Sequence, residues 1–101
     1  MDQDFISAVK IDDQGRLHVV PDNTEFPLIY HAGLEVSWDD STRSLHSPKP
    51  RDWDYVRWYQ QLVTAAAQEY GCQLLLTDQT TWINVDPDTK AQLLEAQCHG
   101  A

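Results

Sequence analysis

The stretch "RDWDYVRWYQQLVTAAAQEY", residues 51–70, decides the predicted fold because it reads as one long helix in the middle of the chain. Gly71 follows it and can adopt the left-handed conformation that ends a helix. At about 100° per residue, one broad apolar side forms, which we expect to lie on a β-sheet. The positions on this side are Trp53, Val56, Tyr59, Val63, Ala66, Ala67 and Tyr70.

A second group of apolar side chains extends this arc around one edge of the helix, namely Tyr55, Trp58, Leu62 and Ala65. A helix that covers one sheet face needs an apolar stripe of only roughly 100°. The excess can be covered by the last helix of the same chain, by a second copy of the chain, or by a ligand or foreign partner. Because Tyr and Trp are enriched at interface centres and twofold dimers are the commonest oligomers, we predict a homodimer interface at these four residues.

The residues before the helix show the alternation typical of strands. In "FISAVKI", residues 5–11, Phe5 and Val9 share one face with Ser7 and Ile11, and Gly15 can close a hairpin with "RLHVV", residues 16–20. The segment "LIYHAGLEVSW", residues 28–38, predicts a third strand, and "RSLHS", residues 43–47, predicts a fourth.

After the helix, "CQLLLT", residues 72–77, reads as a buried strand with "TTWINV", residues 80–85, as its hairpin partner. Asp86 followed by Pro87 predicts the start of a short last helix. The sequence therefore predicts one α+β domain over residues 1–101. Its predicted architecture is a single-layer antiparallel sheet of four to six strands with one long and one short helix packed on one face.

The formal net charge of −9 comes from acids scattered along the chain. Such a surface repels phosphate backbones and anionic lipids, so we expect neither nucleic-acid nor membrane binding, whereas a basic protein would be attracted. Solubility is the more common reason for this acidic balance.

No apolar run in the sequence is long enough to span a bilayer. The two cysteines show no CxxC spacing, and the first residues do not have the pattern of a signal peptide. A cytoplasmic location is the expectation.

No catalytic motif is recognisable: a G-x-S-x-G elbow, an H-E-x-x-H helix and a phosphate-binding glycine loop are all absent from the sequence. The histidines and cysteines have no spacing that would bring ligands together around a metal. We therefore expect no enzyme activity, no metal and no cofactor.

An aromatic pocket between sheet and helix is the second candidate site, with Tyr30, His31, Trp38 and Tyr59 as its walls. It would make the protein a small-molecule binding module.

Three functional hypotheses result. The first is a small acidic cytoplasmic interaction protein that self-associates through the aromatic helix, similar in kind to accessory products of phages and mobile gene cassettes. The second is the binding module with the aromatic pocket. The third is an acidic inhibitor or immunity-type protein that steers itself to a basic partner.

Overall fold

The computed structural model describes residues 2–32, 35–47 and 54–99. In these ranges the chain forms six strands: β1 (Asp2–Ile11), β2 (Leu17–Pro21), β3 (Ser37–Asp39), β4 (Ser44–His46), β5 (Cys72–Leu75) and β6 (Thr81–Ile83). The helices in the same ranges are α1 (Tyr55–Tyr70), α2 (Pro87–His99) and a single 3₁₀ turn (Ile29–Ala32). The predicted α+β fold is confirmed.

The sheet is mixed, with the order β3-β4-β2-β1-β5, and β6 also pairs with β1. The predicted hairpin between residues 72–77 and 80–85 is wrong, because β5 and β6 each pair in parallel with β1, at Asp2–Phe5 and at Ala8–Lys10. Both β1 and β4 are antiparallel to β2, so β4 runs in the direction of β1. Since α1 carries the chain back across the sheet after β4, the next strand must again run parallel to β1. The expected all-antiparallel sheet is thereby corrected.

A register shift between Ile6 and Ala8, a β-bulge, changes the faces of β1. The alternation in the sequence placed Phe5 with Val9, but Ile6 and Val9 are buried together while Phe5 is exposed. The extra residue of a bulge inverts the alternation beyond it. The face predicted for residues 5–11 is therefore correct only after the bulge.

The central helix begins later than the quoted stretch. Asp54 caps α1 by accepting a hydrogen bond from the Arg57 amide. Gly71 ends the helix with φ of 62°, as the sequence predicted. The expected core residue Trp53 lies outside the described residues. The buried side chains of α1 form one stripe: Trp58, Tyr59, Leu62, Ala65 and Ala66.

The stripe of α1 contradicts the predicted dimer interface. Trp58 is only 6% exposed, and Leu62 and Ala65 are completely buried within the single chain. They belong to the same core as the buried face of the sheet and as Leu93 of α2. Tyr55 is half-buried and donates its hydroxyl proton to the carbonyl of Gly15. These side chains cannot form a surface for a second copy, because the sheet and α2 already cover them.

The last helix starts where the sequence predicted, since Asp86 accepts a hydrogen bond from the Thr89 amide and Pro87 opens α2. It packs beside α1. Neither of the described helices is long and apolar enough to cross a bilayer.

Candidate functional site

The strand pairings assign each residue of the sheet to one of two faces, because directly paired residues point to the same side. The face under α1 contains the pairs Val9–Val19 and Val19–Leu45, and these side chains are fully buried. The opposite face, which we call the open face, contains the pairs Phe5–Leu75, Ala8–Val20, Lys10–His18 and Lys10–Ile83. Both described helices contribute to the core on the first face.

An apolar area occupies the β1, β2, β5 and β6 side of the open face. We call it the open-face patch and define it by Phe5, Ala8, Val20, Leu75 and Ile83. Phe5 is 54% exposed and Ile83 is 44% exposed, whereas Ala8, Val20 and Leu75 between them are half-buried. Phe5 and Ile83 lie at opposite ends of the patch. A continuous area of apolar side chains marks an interaction surface more often than isolated exposed ones do.

A cleft of about 550 Å³ lies at the Phe5 end of the patch. Its walls are Phe5, Ile6, Ser7, Asp22, Thr77 and Gln79. The volume falls within the range of roughly 300 to 1,000 Å³ typical of ligand pockets. The cleft therefore joins one exposed aromatic ring to one carboxylate and three other polar side chains.

Hydrogen bonds fix the walls of the cleft. The Asp22 amide donates to the Phe5 carbonyl at 2.8 Å, and the Thr80 hydroxyl donates to the Ile6 carbonyl at 2.7 Å. The Thr77 amide donates to the Thr80 hydroxyl at 3.0 Å, which closes the turn between β5 and β6. The backbone just before the β-bulge is therefore hydrogen-bonded to both the loop after β2, at Asp22, and the turn before β6, at Thr80.

Asp4 anchors the loop that carries Asp22. Its buried carboxylate accepts hydrogen bonds from the amides of Phe5, Asn23 and Thr24 at 2.9, 3.0 and 2.8 Å. Burial by itself raises the pKa of Asp4, but the bonds from the Asn23, Thr24 and Phe5 amides outweigh it, so the pKa lies below the ordinary value.

A polar chain occupies the β4 side of the open face. His18 Nε2 lies 2.7 Å from Asp12 Oδ2, His18 Nδ1 lies 2.9 Å from Ser44 Oγ, and Ser44 Oγ lies 2.7 Å from the Thr42 hydroxyl. His46 packs on His18 with ring centroids 5.2 Å apart. The order Asp–His–Ser resembles a hydrolase triad, but Ser44 is completely buried, so its oxygen cannot reach a substrate. We interpret this series of hydrogen-bonded side chains as a structural network.

The titration of this network follows from its contacts. Partial burial by itself raises the pKa of Asp12. The hydrogen bonds from His18 and from the Arg16 and Gln14 amides lower the pKa by a larger amount, so its net shift is downward. Burial is the main cause that lowers the pKa of His46, and the nearby charges of His18 and Arg16 act in the same direction.

The predicted aromatic pocket is not assembled as expected. Tyr30 and His31 are exposed on the 3₁₀ turn and contact each other, with ring centroids 4.4 Å apart. Trp38 lies on β3 against the edge of Phe26, and Tyr59 is buried in the core, where burial raises its pKa. Because residues 29–32 turn instead of extending the strand, Tyr30 and His31 do not alternate with Trp38.

The sequence analysis did not predict the open face, because the bulge in β1 interrupts the alternation from which the faces were assigned. Reading residues 5–11 without a bulge puts Phe5 in the core and places Ile6, Ala8 and Lys10 together on the outside. The exposure of Ile83 also depends on the parallel pairing with Lys10, which has no local signature. In the part of the chain that the structure describes, no group of three or more His, Cys, Asp or Glu side chains is placed to hold a metal ion.

The fold and the exposed face together define a class: small α+β proteins in which helices cover one side of a mixed sheet and an apolar patch lies on the other. Residues 4–80 match the protein family Integron Cassette Protein Hfx_Cass5. A solved structure described as "Integron Cassette Protein Hfx_Cass5", from the mobile metagenome of North West Arm Sewage Outfall, is 49% identical to this chain. The alignment covers 97% of this chain and 98% of that one, with a TM-score of 0.50.

The chain therefore belongs to the Hfx_Cass5 family of integron cassette proteins. This agrees with the hypothesis that it is the product of a mobile gene cassette. The comparison with curated proteins gives no significant match.

Proposed function

We propose that the protein is a small acidic interaction protein of the cytoplasm and that it self-associates through the open-face patch. The observation that supports this proposal is the exposure of Phe5 and Ile83 on the sheet face opposite the helices. Burial of apolar area stabilises association in proportion to the area removed from water. The proposal keeps the self-association predicted from the sequence and moves it from α1 to the sheet.

A second copy suits this surface in shape and size. Two sheets can pack face to face at about 10 Å, with the side chains of both faces interdigitating. A twofold axis brings the same patch of each copy together. The molecule measures 30 × 26 × 24 Å, so a contact that covers the whole open face, including its polar β4 side, would approach the ~800 Å² per partner found in standard interfaces.

The charge of the chain predicts how this association responds to salt. Two copies that each carry a net charge of −9 repel each other, and salt screens this repulsion. Association between copies should therefore become tighter as salt rises. Binding of a basic protein, the other partner that the charge favours, should become weaker under the same change.

Sedimentation equilibrium across the micromolar range, at low and at high salt, tests the proposal. We expect a monomer–dimer equilibrium that shifts toward dimer at high salt. Ile83→Asp should weaken the dimer by about tenfold or more, because a charge would be buried in the interface. The matched control is Leu94→Asp, which alters an exposed apolar side chain of α2 and should leave the equilibrium unchanged.

Two results would contradict the proposal. A wild-type protein that stays monomeric at high micromolar concentration and high salt has no self-association of this kind. If Leu94→Asp weakens the dimer and Ile83→Asp does not, the contact involves the helices instead of the open face.

A further inference from the structure

The cleft at the end of the open-face patch has a chemical character of its own. Among the described residues that line it, Asp22 is the charged one and Phe5 is the aromatic one. The other polar groups are the hydroxyls of Ser7 and Thr77 and the amide of Gln79. A ligand in this cleft would therefore meet one negative charge, an exposed ring and neutral hydrogen-bonding groups.

The electrostatic potential of the cleft determines whether it favours a cationic or an anionic ligand. The chain carries a net charge of −9, and a carboxylate in the cleft wall adds a local negative potential. Lys10, the basic residue of β1, lies three residues from Ser7, the nearest lining residue of β1, which corresponds to about 10 Å along a strand. Anions are disfavoured here and cations are attracted.

The ring of Phe5 favours an organic cation over a bare metal ion. Its side chain is more than half exposed, so a ligand can contact its face. A cation that carries apolar groups gains from both burial of those groups and the attraction between charge and ring. The described residues also place no set of metal ligands at this position.

We propose that this cleft binds a small organic cation, an amine or quaternary ammonium with an apolar substituent. The apolar part contacts the exposed ring of Phe5, and the charge faces the Asp22 carboxylate. The site is fixed before the ligand arrives, because the Asp22 amide and the Thr80 hydroxyl tether its walls to the carbonyls of Phe5 and Ile6. A preformed site avoids the entropic cost of ordering its walls. The proposal concerns a single chain. Because Phe5 belongs to both the cleft and the open-face patch, we expect the bound cation to compete with self-association.

The test is an NMR titration of ¹⁵N-labelled protein with benzyltrimethylammonium, and with benzoate as the anionic counterpart of similar size. We expect the cation to shift the amides of Ser7, Thr77 and Gln79 and to bind with an affinity about tenfold or more above that of benzoate. Asp22→Asn should reduce the affinity for the cation by about threefold to fivefold. The charge-matched control Asp13→Asn lies in the β1–β2 turn, at the far end of β1, and should leave the affinity unchanged.

The same titration with Ile83→Asp separates the two proposals, because Ile83 does not line the cleft. Retained binding in this variant, together with a lower affinity in Asp22→Asn, supports the cleft whether or not the wild-type protein dimerises. Equal affinity for benzyltrimethylammonium and benzoate overturns the proposal. Shifts that Asp22→Asn leaves unaltered, or that appear on other parts of the surface alone, overturn it as well.

Discussion

Asp4 is a charged residue in a buried position, and its environment explains why it is tolerated there. The backbone amides of Phe5, Asn23 and Thr24 donate hydrogen bonds to its two carboxylate oxygens. These bonds compensate the negative charge and also satisfy the three N–H donors. The sequence offered no signal for this role, because "MDQDFIS" reads as an ordinary acidic chain start. Two of the three donating amides come from residues nineteen and twenty positions away.

Replacing Asp4 with Ala should destabilise the protein by about 2 to 3 kcal/mol, because the amides of Phe5, Asn23 and Thr24 lose their charged acceptor. Urea denaturation monitored by circular dichroism measures the change. Asp13→Ala, at an exposed turn residue, serves as the control and should stay within about 0.5 kcal/mol of the wild type. Equal stability of the two variants would show that the Asp4 contacts add nothing.

His46 makes stability depend on pH. The pKa of His46 is below its ordinary 6.5 in the folded chain, mainly through burial, with His18 and Arg16 adding to the effect and Ser47 and Asp39 opposing it. Between the two pKa values the unfolded chain binds more protons than the folded one, so stability falls as the pH drops through 6.5. Asp4 and Asp12 have lowered pKa values, so the stability they contribute is lost at still lower pH, below 3.8.

Urea denaturation at about pH 7.5 and about pH 5.5 should show a lower free energy of unfolding at the acidic pH. His46→Gln should reduce this difference because the variant lacks the titrating group at that position. A wild-type stability that is flat over this interval, or an unchanged difference in His46→Gln, would contradict the assignment.

At the scale of elements, the predictions of the end of α1 and of the start of α2 are correct. The predicted start of α1 is too early, and the predicted dimer interface contains Trp58, Leu62 and Ala65, which belong to the core. Gly71 and the Asp86–Pro87 pair act through local backbone chemistry, so a short segment contains the whole signal. The direction that α1 presents to the sheet depends on how its neighbours pack. The centre of the buried stripe lies near Leu62, which the periodicity had placed at the edge of the apolar arc.

Trp58→Ala tests the assignment of the helix faces. We expect a loss of about 3 to 5 kcal/mol in unfolding free energy, because a large buried side chain leaves a cavity in the core. Gln60→Ala, at an exposed position of the same helix, is the control and should change stability by less than about 0.5 kcal/mol. If Trp58→Ala instead keeps the stability and changes the oligomeric state, the interface predicted from the sequence is correct and the buried assignment is wrong.

At the scale of the whole molecule, the topology decides which surface is free. The crossover through α1 returns the chain to β1, so β5 and β6 extend the sheet beside β1 instead of forming a separate hairpin. Both helices then belong to one side, and the exposed Phe5 and Ile83 belong to the other. The candidate site arises from this one-sided arrangement and from the bulge in β1, and neither feature is visible in a local pattern.

The sequence by itself determined the α+β class, the C-terminal end of α1 at Gly71, the start of α2 at Pro87, and the acidic balance of the chain. These properties depend on residue composition, hydrophobic periodicity and capping, which act over a few neighbouring residues. The tertiary structure alone decided the parallel pairing of β5 and β6, the burial of Trp58 and Leu62, and the exposure of Phe5. These depend on contacts between residues far apart in the chain, where the free energy of packing the whole core selects one arrangement among several that satisfy the same local pattern.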